Sequence, residues 1–438
     1  MISKISTDRY MSLKTATSFV IASMIGTGVF TSLGYQLVDI QSVFSLLMLW
    51  IVGGIVALCG ALTYSELGAA LPRSGGEYHL LTRIIHPSVG FAGGLISATV
   101  GFTAPAVLAA MALGSYFTAV FNNFDPIQIA LIIILLFHLL HMFSIKWGTL
   151  FQDISTAIKI ILIVIFIFFG FMIDTPQDII LMPIKGDIDL IFSSGFAVSL
   201  VWVSYAYTGW NSAIYISGDI IHPRKNIPYS LLIGTIFVMI LYILLNYIFL
   251  FTTPIESMVG KVEIGYISGL KIFGDTGAKI ISLSIAVLLL STVSSYVFIG
   301  PRIIQVMGED HNFISFFSKK NHNDIPLNAF LLQLLIGLVF IFTSTFEQVL
   351  MYAGISLILT TTLTVISLFV LRVREPRIDR PYKVWGYPII PLLFLIVNAW
   401  ILFYTFQERP FESLVGICII IFSIVIYYIS KINHKNYK

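Results

Sequence analysis

The chain is one apolar stretch after another, each about as long as the hydrocarbon core of a bilayer is thick, joined by short polar connections. A helix needs roughly 20 such residues to cross. Hydrocarbon supplies no water to free amides and carbonyls, so each crossing segment must satisfy its own backbone, as a helix does. Twelve spans are read, at about 16–37, 42–64, 89–120, 127–145, 153–173, 190–217, 228–252, 278–300, 326–343, 347–371, 387–406 and 412–431. The composition agrees, with 57% hydrophobic and 11% charged residues and a mean hydropathy of +0.94. The expected fold is therefore all-α and integral to the membrane, a single domain over 1–438. Its longest connections, around 66–88, 253–277 and 301–325, are too short for an extramembrane domain. Span 89–120 exceeds a minimal crossing, which implies tilt or an interfacial extension.

Positive charge gives the orientation, because short cytoplasmic loops carry the excess of Lys and Arg. Most of the 25 such residues fall on one side, from Lys4, Arg9 and Lys14 through Arg73, Arg83, Lys146, Arg224 and Lys225 to Lys431, Lys435 and Lys438. The opposite loops hold Lys185, Lys261, Lys271, Lys279 and Arg409. Both termini are expected in the cytoplasm, with the first span retained rather than cleaved. The basic run Arg372 to Lys383 sits between two spans and is read as an orientation signal in contact with lipid headgroups. Leu80, Leu81, Ile84 and Ile85 beside Arg83 suggest an amphipathic loop helix on the inner surface. Cys59 and Cys418 both fall inside spans, so no structural disulfide is expected.

Two of the spans are interrupted. The first contains Met24-Ile25-Gly26-Thr27-Gly28-Val29-Phe30, and the sixth contains Tyr205-Ala206-Tyr207-Thr208-Gly209-Trp210-Asn211. Gly26 and Gly28 let the chain leave helical geometry and let another molecule approach its backbone. The half-helix that follows offers unpartnered amides at the positive end of its dipole, suited to a carboxylate. The carbonyls that end the preceding half, near Met24, suit an ammonium group. Glycine and hydroxyl residues also fill ordinary helix-packing patches. A second break about five spans later favours a binding site, since unwound backbone at membrane depth is tolerated where it lines a cavity.

These segments resemble the amino acid–polyamine–organocation superfamily, and within it the L-type amino acid transporters and bacterial serine/threonine exchangers. The resemblance covers nearly the whole chain. It also rests on Tyr64-Ser65-Glu66-Leu67-Gly68 through Pro72-Arg73-Ser74-Gly75-Gly76-Glu77-Tyr78, on Gln152-Asp153-Ile154-Ser155-Thr156-Ala157-Ile158-Lys159, and on Asn226-Ile227-Pro228. It implies a LeuT-like fold of two inverted five-helix repeats, about 16–173 and 190–371, with discontinuous helices 1 and 6 and two additional helices over 387–431. By the same resemblance a substrate carboxylate meets amides of Thr27 and Gly28, the α-amino group meets carbonyls of Met24, Tyr205, Ala206 and Thr208, and Gly26 belongs to the same binding set. The Tyr205 ring would gate the site and Asn211 would support it. Thr208 departs from the smaller residue usual in L-type transporters, which bears on pocket size.

Lys159 places an ammonium well inside a span, and such a group is a functional candidate by default. The resemblance places it where sodium-coupled relatives hold a sodium ion, linked to the first break and to Ser291-Thr292 and Ser294-Ser295. It lies six residues past Asp153, about 9 Å along a helix, so its stem also has the length to snorkel to the surface. Glu66, Glu77 and Asp219 read as solvated loop carboxylates, with Asp219 near Arg224 or Lys225. His138 and His141, three residues apart, read as packed histidines rather than metal ligands.

The resulting expectation is a sodium-independent secondary transporter of zwitterionic amino acids, an exchanger of small or medium neutral L-amino acids working by alternating access. The alternatives are a proton-coupled symporter, a non-translocating nutrient sensor and a membrane-embedded enzyme. No catalytic set is evident in the spans, so no enzyme, cofactor or nucleic-acid partner is expected. Animal members of the family join a partner glycoprotein through a cysteine between spans three and four. The corresponding Phe121 to Pro126 has none, which points to no such linkage and to a prokaryotic inner membrane.

Overall fold

A computed structural model describes residues 11–143, 148–321 and 325–435. The readings of Lys4, Arg9, Lys146 and Lys438 lie outside the described residues, as do the side chains of Gln152, Asp153 and Lys435. Every named element is helical. In chain order they are α1 (Leu13–Met24), α2 (Gly28–Thr31), α3 (Leu33–Asp39), α4 (Val43–Ala70), α5 (Gly76–Ile84), α6 (Pro87–Ile96) and α7 (Thr103–Thr118). There follow α8 (Pro126–Phe143), α9 (Gly148–Gly170), α10 (Asp187–Ile191), α11 (Ser194–Tyr207), α12 (Pro223–Thr252) and α13 (Ile255–Met258). The last are α14 (Ile264–Asp310), α15 (Leu327–Thr343), α16 (Phe346–Arg374), α17 (Ile389–Glu408) and α18 (Pro410–Lys435).

Local chemistry sets several of these boundaries. Ser12 starts α1 by accepting from the Thr15 amide at 3.2 Å, and Ser42 starts α4 by accepting from that of Ser45 at 3.3 Å. Thr345 and Gln348 close a reciprocal capping box on α16. Gly274, at φ +68, bends α14.

Among the described residues, nine helices are long and apolar enough to cross a membrane, which makes this a multi-pass membrane protein. The three remaining expected spans are also helical. Helix α9 runs 23 residues, α15 has 17, and α11 has 14 before its break. The long span 89–120 proves to be α6 and α7 joined by a π-helical turn, Ser97–Gly101. It is the most enclosed, with 83% of its apolar window buried against 22% for the last helix. The loop helix expected around Arg83 is α5.

Two of the expected solvated carboxylates are instead buried. Glu66 is fully enclosed, because α4 continues to Ala70 and carries it beneath α16. There it accepts from Arg372 at 2.6 and 2.9 Å and from the Val384 amide at 2.8 Å. Arg380 stands 3.4 Å away. Arg374 donates to the Ile84 carbonyl at 2.9 Å, so much of the basic run is turned into the protein rather than toward headgroups. Glu77 is also buried, 2% exposed. Arg224 pairs with Asp379 at 2.7 Å, not with Asp219. His138 and His141 are packed residues, bonded to the Ile134 carbonyl at 2.8 Å and the Ser294 hydroxyl at 2.9 Å.

Candidate substrate site

The first break is a short stretch of three residues. After Met24 the chain turns out of the helix at Ile25 (φ −77°, ψ 87°) and re-enters at Gly28. The turn brings the Gly26 amide onto the Met24 carbonyl at 2.9 Å. That carbonyl also accepts from the Tyr242 hydroxyl at 2.6 Å. Among the described residues, no backbone hydrogen bond reaches the amides of Thr27, Gly28 or Val29, leaving three donors at the start of the second half-helix.

The second break follows Tyr207. Thr208 is extended (φ −50°, ψ 140°), Gly209 has φ +107°, and a 3-10 turn resumes at Ser212–Ile214. The Tyr205 carbonyl accepts from the Thr208 amide at 3.0 Å, and those of Ala206, Tyr207 and Thr208 take no backbone donor among the described residues. One break thus leaves free donors and the other leaves free acceptors.

Two close approaches hold the breaks together. A Cβ on Gly28 would stand 2.4 Å from the Ala206 Cα, and one on Gly209 would stand 2.5 Å from the Ser23 carbonyl oxygen. At Gly26 the nearest atom to such a Cβ is the Thr292 methyl, at 3.9 Å. Gly28 and Gly209 are therefore contact points between the broken helices, whereas Gly26 has room beside it.

Lys159 is 3% exposed. Its Nζ donates to the Thr292 hydroxyl at 2.8 Å and the Ile25 carbonyl at 3.3 Å, so the ammonium points to the first break and α14 instead of snorkelling to a surface.

A cavity of about 1310 Å³ runs from this level to the face carrying Lys14, Ser74, Asp219 and Arg302. Of the sequence-predicted residues, Gly26, Lys159, Thr208 and Asn211 line it. Met24, Thr27, Gly28, Tyr205 and Ala206 lie behind that lining, each nearly or fully buried. The Tyr205 and Thr27 hydroxyls stand 3.2 Å apart, which closes the break on the side away from the opening. Beyond them Tyr35 stacks between Trp202 and Phe346, with centroids 4.9 and 5.9 Å apart. The cavity is thus open at the basic end and shut at the other.

Several residues of the site escaped the sequence reading. Tyr242 holds the first break from α12, and Tyr116 donates to the Phe30 carbonyl at 2.8 Å from α7. Glu77 accepts from Asn211 at 2.5 Å. A usable signal existed for Glu77 in the Gly75-Gly76 pair, whose positive φ angles of +129° and +57° turn it inward.

Comparison with known proteins identifies the family. The profile of the amino acid permease family matches residues 11–432. The chain is 26% identical to large neutral amino acids transporter small subunit 2 of Mus musculus over 432 residues, covering 95% of this chain and 80% of that one. It is 26% identical to Asc-type amino acid transporter 1 of Mus musculus, covering 97% and 82%. Against b(0,+)-type amino acid transporter 1 of the same organism the identity is 24%, over 97% and 88%.

Proposed function

Because the chain belongs to the amino acid permease family, within the amino acid–polyamine–organocation superfamily, we propose that it carries neutral L-amino acids by alternating access, as a sodium-independent exchanger. It is a transporter and not an enzyme. The proposed topology is twelve spans with two five-helix repeats, both termini on the cytoplasmic side of a cell membrane and the cavity open inward. The relative named for large neutral amino acids supports a neutral substrate, and small to medium side chains are our own reading of the pocket.

The observation that carries this reading is that one break leaves the amides of Thr27 to Val29 without backbone acceptors while the other leaves the carbonyls of Ala206 to Thr208 without backbone donors. Hydrogen-bond donors at a helix start favour a carboxylate, and acceptors at a helix end favour an ammonium. A zwitterion satisfies both at once. No Asp or Glu stands within either break, which disfavours a polyamine. Sodium independence is supported by Lys159, whose ammonium already serves the Ile25 carbonyl and Thr292 hydroxyl, the oxygens a metal cation would otherwise seek.

The test uses purified protein in liposomes without sodium, with labelled neutral, cationic and acidic amino acids outside. Uptake of neutral amino acids that requires unlabelled amino acid inside supports exchange. Uptake driven by an inward proton gradient into empty vesicles replaces exchange with proton symport. Uptake of none of them, by folded protein, removes the proposal.

A further inference from the structure

Glu77 belongs to α5, outside the membrane spans, yet it is buried and takes three hydrogen bonds. Its Oε1 accepts from the Tyr64 hydroxyl at 3.1 Å and from the Asn211 amide at 2.5 Å, and its Oε2 accepts from the Tyr215 hydroxyl. Among the described residues no Lys, Arg or His forms an ion pair with it. A carboxylate enclosed without a counter-charge is costly unless its lone pairs are filled, and here neutral donors from two other parts of the chain fill them.

The backbone is shaped for this contact. Gly75 and Gly76 adopt positive φ, and a Cβ on Gly76 would fall 2.2 Å from the Tyr215 ring. Only glycine there lets α5 approach the segment that follows the second break. Asn211 and Tyr215 both line the cavity, and Glu77 stands behind them. Tyr215 in turn meets Phe102 edge-on at 6.2 Å, next to the π-helical turn.

We propose that Glu77 is a positioning residue for transport: it holds Asn211 and Tyr215 in the cavity wall and fastens α5 to the unwound sixth helix. This rests on the transport reading given above. One carboxylate offers two acceptor oxygens to three donors, and no neutral side chain of its size does the same. In Glu77→Gln one oxygen becomes an NH2 group: facing Asn211 it loses that bond outright, and facing Tyr215 it forces the hydroxyl to accept instead of donate, so either placement loosens the wall.

The experiment compares wild type, Glu77→Gln, Glu77→Asp, Asn211→Ala and the double variant Glu77→Gln/Asn211→Ala in liposomes, measuring KM and maximal exchange rate separately. Glu77→Gln is expected to raise KM about tenfold, Glu77→Asp to restore most of it, and the double variant to be no worse than the more impaired single one. Additive losses in the double variant, or wild-type KM in Glu77→Gln, overturn the proposal. Tyr215→Phe removes a single donor, with an expected rise in KM of about threefold, and serves if Glu77→Gln fails to fold. A second readout does not need transport. With Cys59 and Cys418 replaced, Ser212→Cys on the same wall is labelled by a water-soluble maleimide, and Glu77→Gln should change that rate several-fold. An unchanged labelling rate sinks the positioning role even if no amino acid is carried, whereas failed transport with altered labelling sinks only the transport reading.

Discussion

The two breaks look alike in sequence and differ in how they are held. The first is gripped by side chains from elsewhere: Tyr242 on the Met24 carbonyl and Lys159 on the Ile25 carbonyl. The second leaves the carbonyls of Ala206 to Thr208 without backbone donors and exposes Thr208 and Asn211 to the cavity. The first break has these carbonyls held and its amides at Thr27 to Val29 free, whereas the second has its carbonyls free. In a medium that penalises unpaired polar groups, the two breaks would gain from opposite ends of the proposed zwitterion.

The largest effect that tests this contrast is at the glycines. Gly209→Ala places a side chain at φ +107° and against the Ser23 carbonyl. The left-handed strain alone costs about 1–3 kcal/mol, so a marked loss of thermal stability and of transport is expected. Gly26→Ala, with open space beside it, should keep its melting temperature within a few degrees and weaken binding only. Equal damage at both positions would erase the distinction drawn between contact and cavity glycines. Gly28 is less informative, because any side chain there strikes Ala206 and disturbs packing and binding together.

Next in size is Lys159→Ala, which strips the first break of its charged donor. A fall of at least tenfold in exchange rate is expected, with folded protein retained on size-exclusion chromatography. Exchange at the wild-type rate would mean that the first break does not depend on the ammonium. Tyr242→Phe should do less, because the Met24 carbonyl keeps the Gly26 amide. Removing one net hydrogen bond costs about 0.5–1.5 kcal/mol, so KM should rise by about two- to tenfold. The smallest change is expected for Thr208→Ser. It keeps the hydroxyl that donates to the Ser204 carbonyl at 3.2 Å and deletes one cavity methyl, so competition assays should show a shift toward larger side chains and little loss of rate. An unchanged ranking would place the substrate side chain away from Thr208.

Much of this contrast was legible in the chain. Glycines and hydroxyls inside otherwise apolar stretches betrayed both breaks, and an ammonium with no solvent nearby betrayed Lys159. What was hidden depended on partners distant in sequence. Glu77 and Asn211 are 134 residues apart, and Glu66 and Arg372 are 306 apart. Nothing local distinguishes such a carboxylate from one in water.

One small feature near the start of the chain has practical weight. Met11 forms an isolated bridge with Ile220, its amide on the Asp219 carbonyl at 3.0 Å and its own carbonyl taken by the Ile221 amide at 2.9 Å. The leading end of α1 and the stretch leaving the second break are therefore stitched edge to edge and have to travel together. Fusion partners and immobilising tags attached ahead of Met11 would tug directly on that seam, so a fluorescent or affinity handle belongs on the far end, past α18.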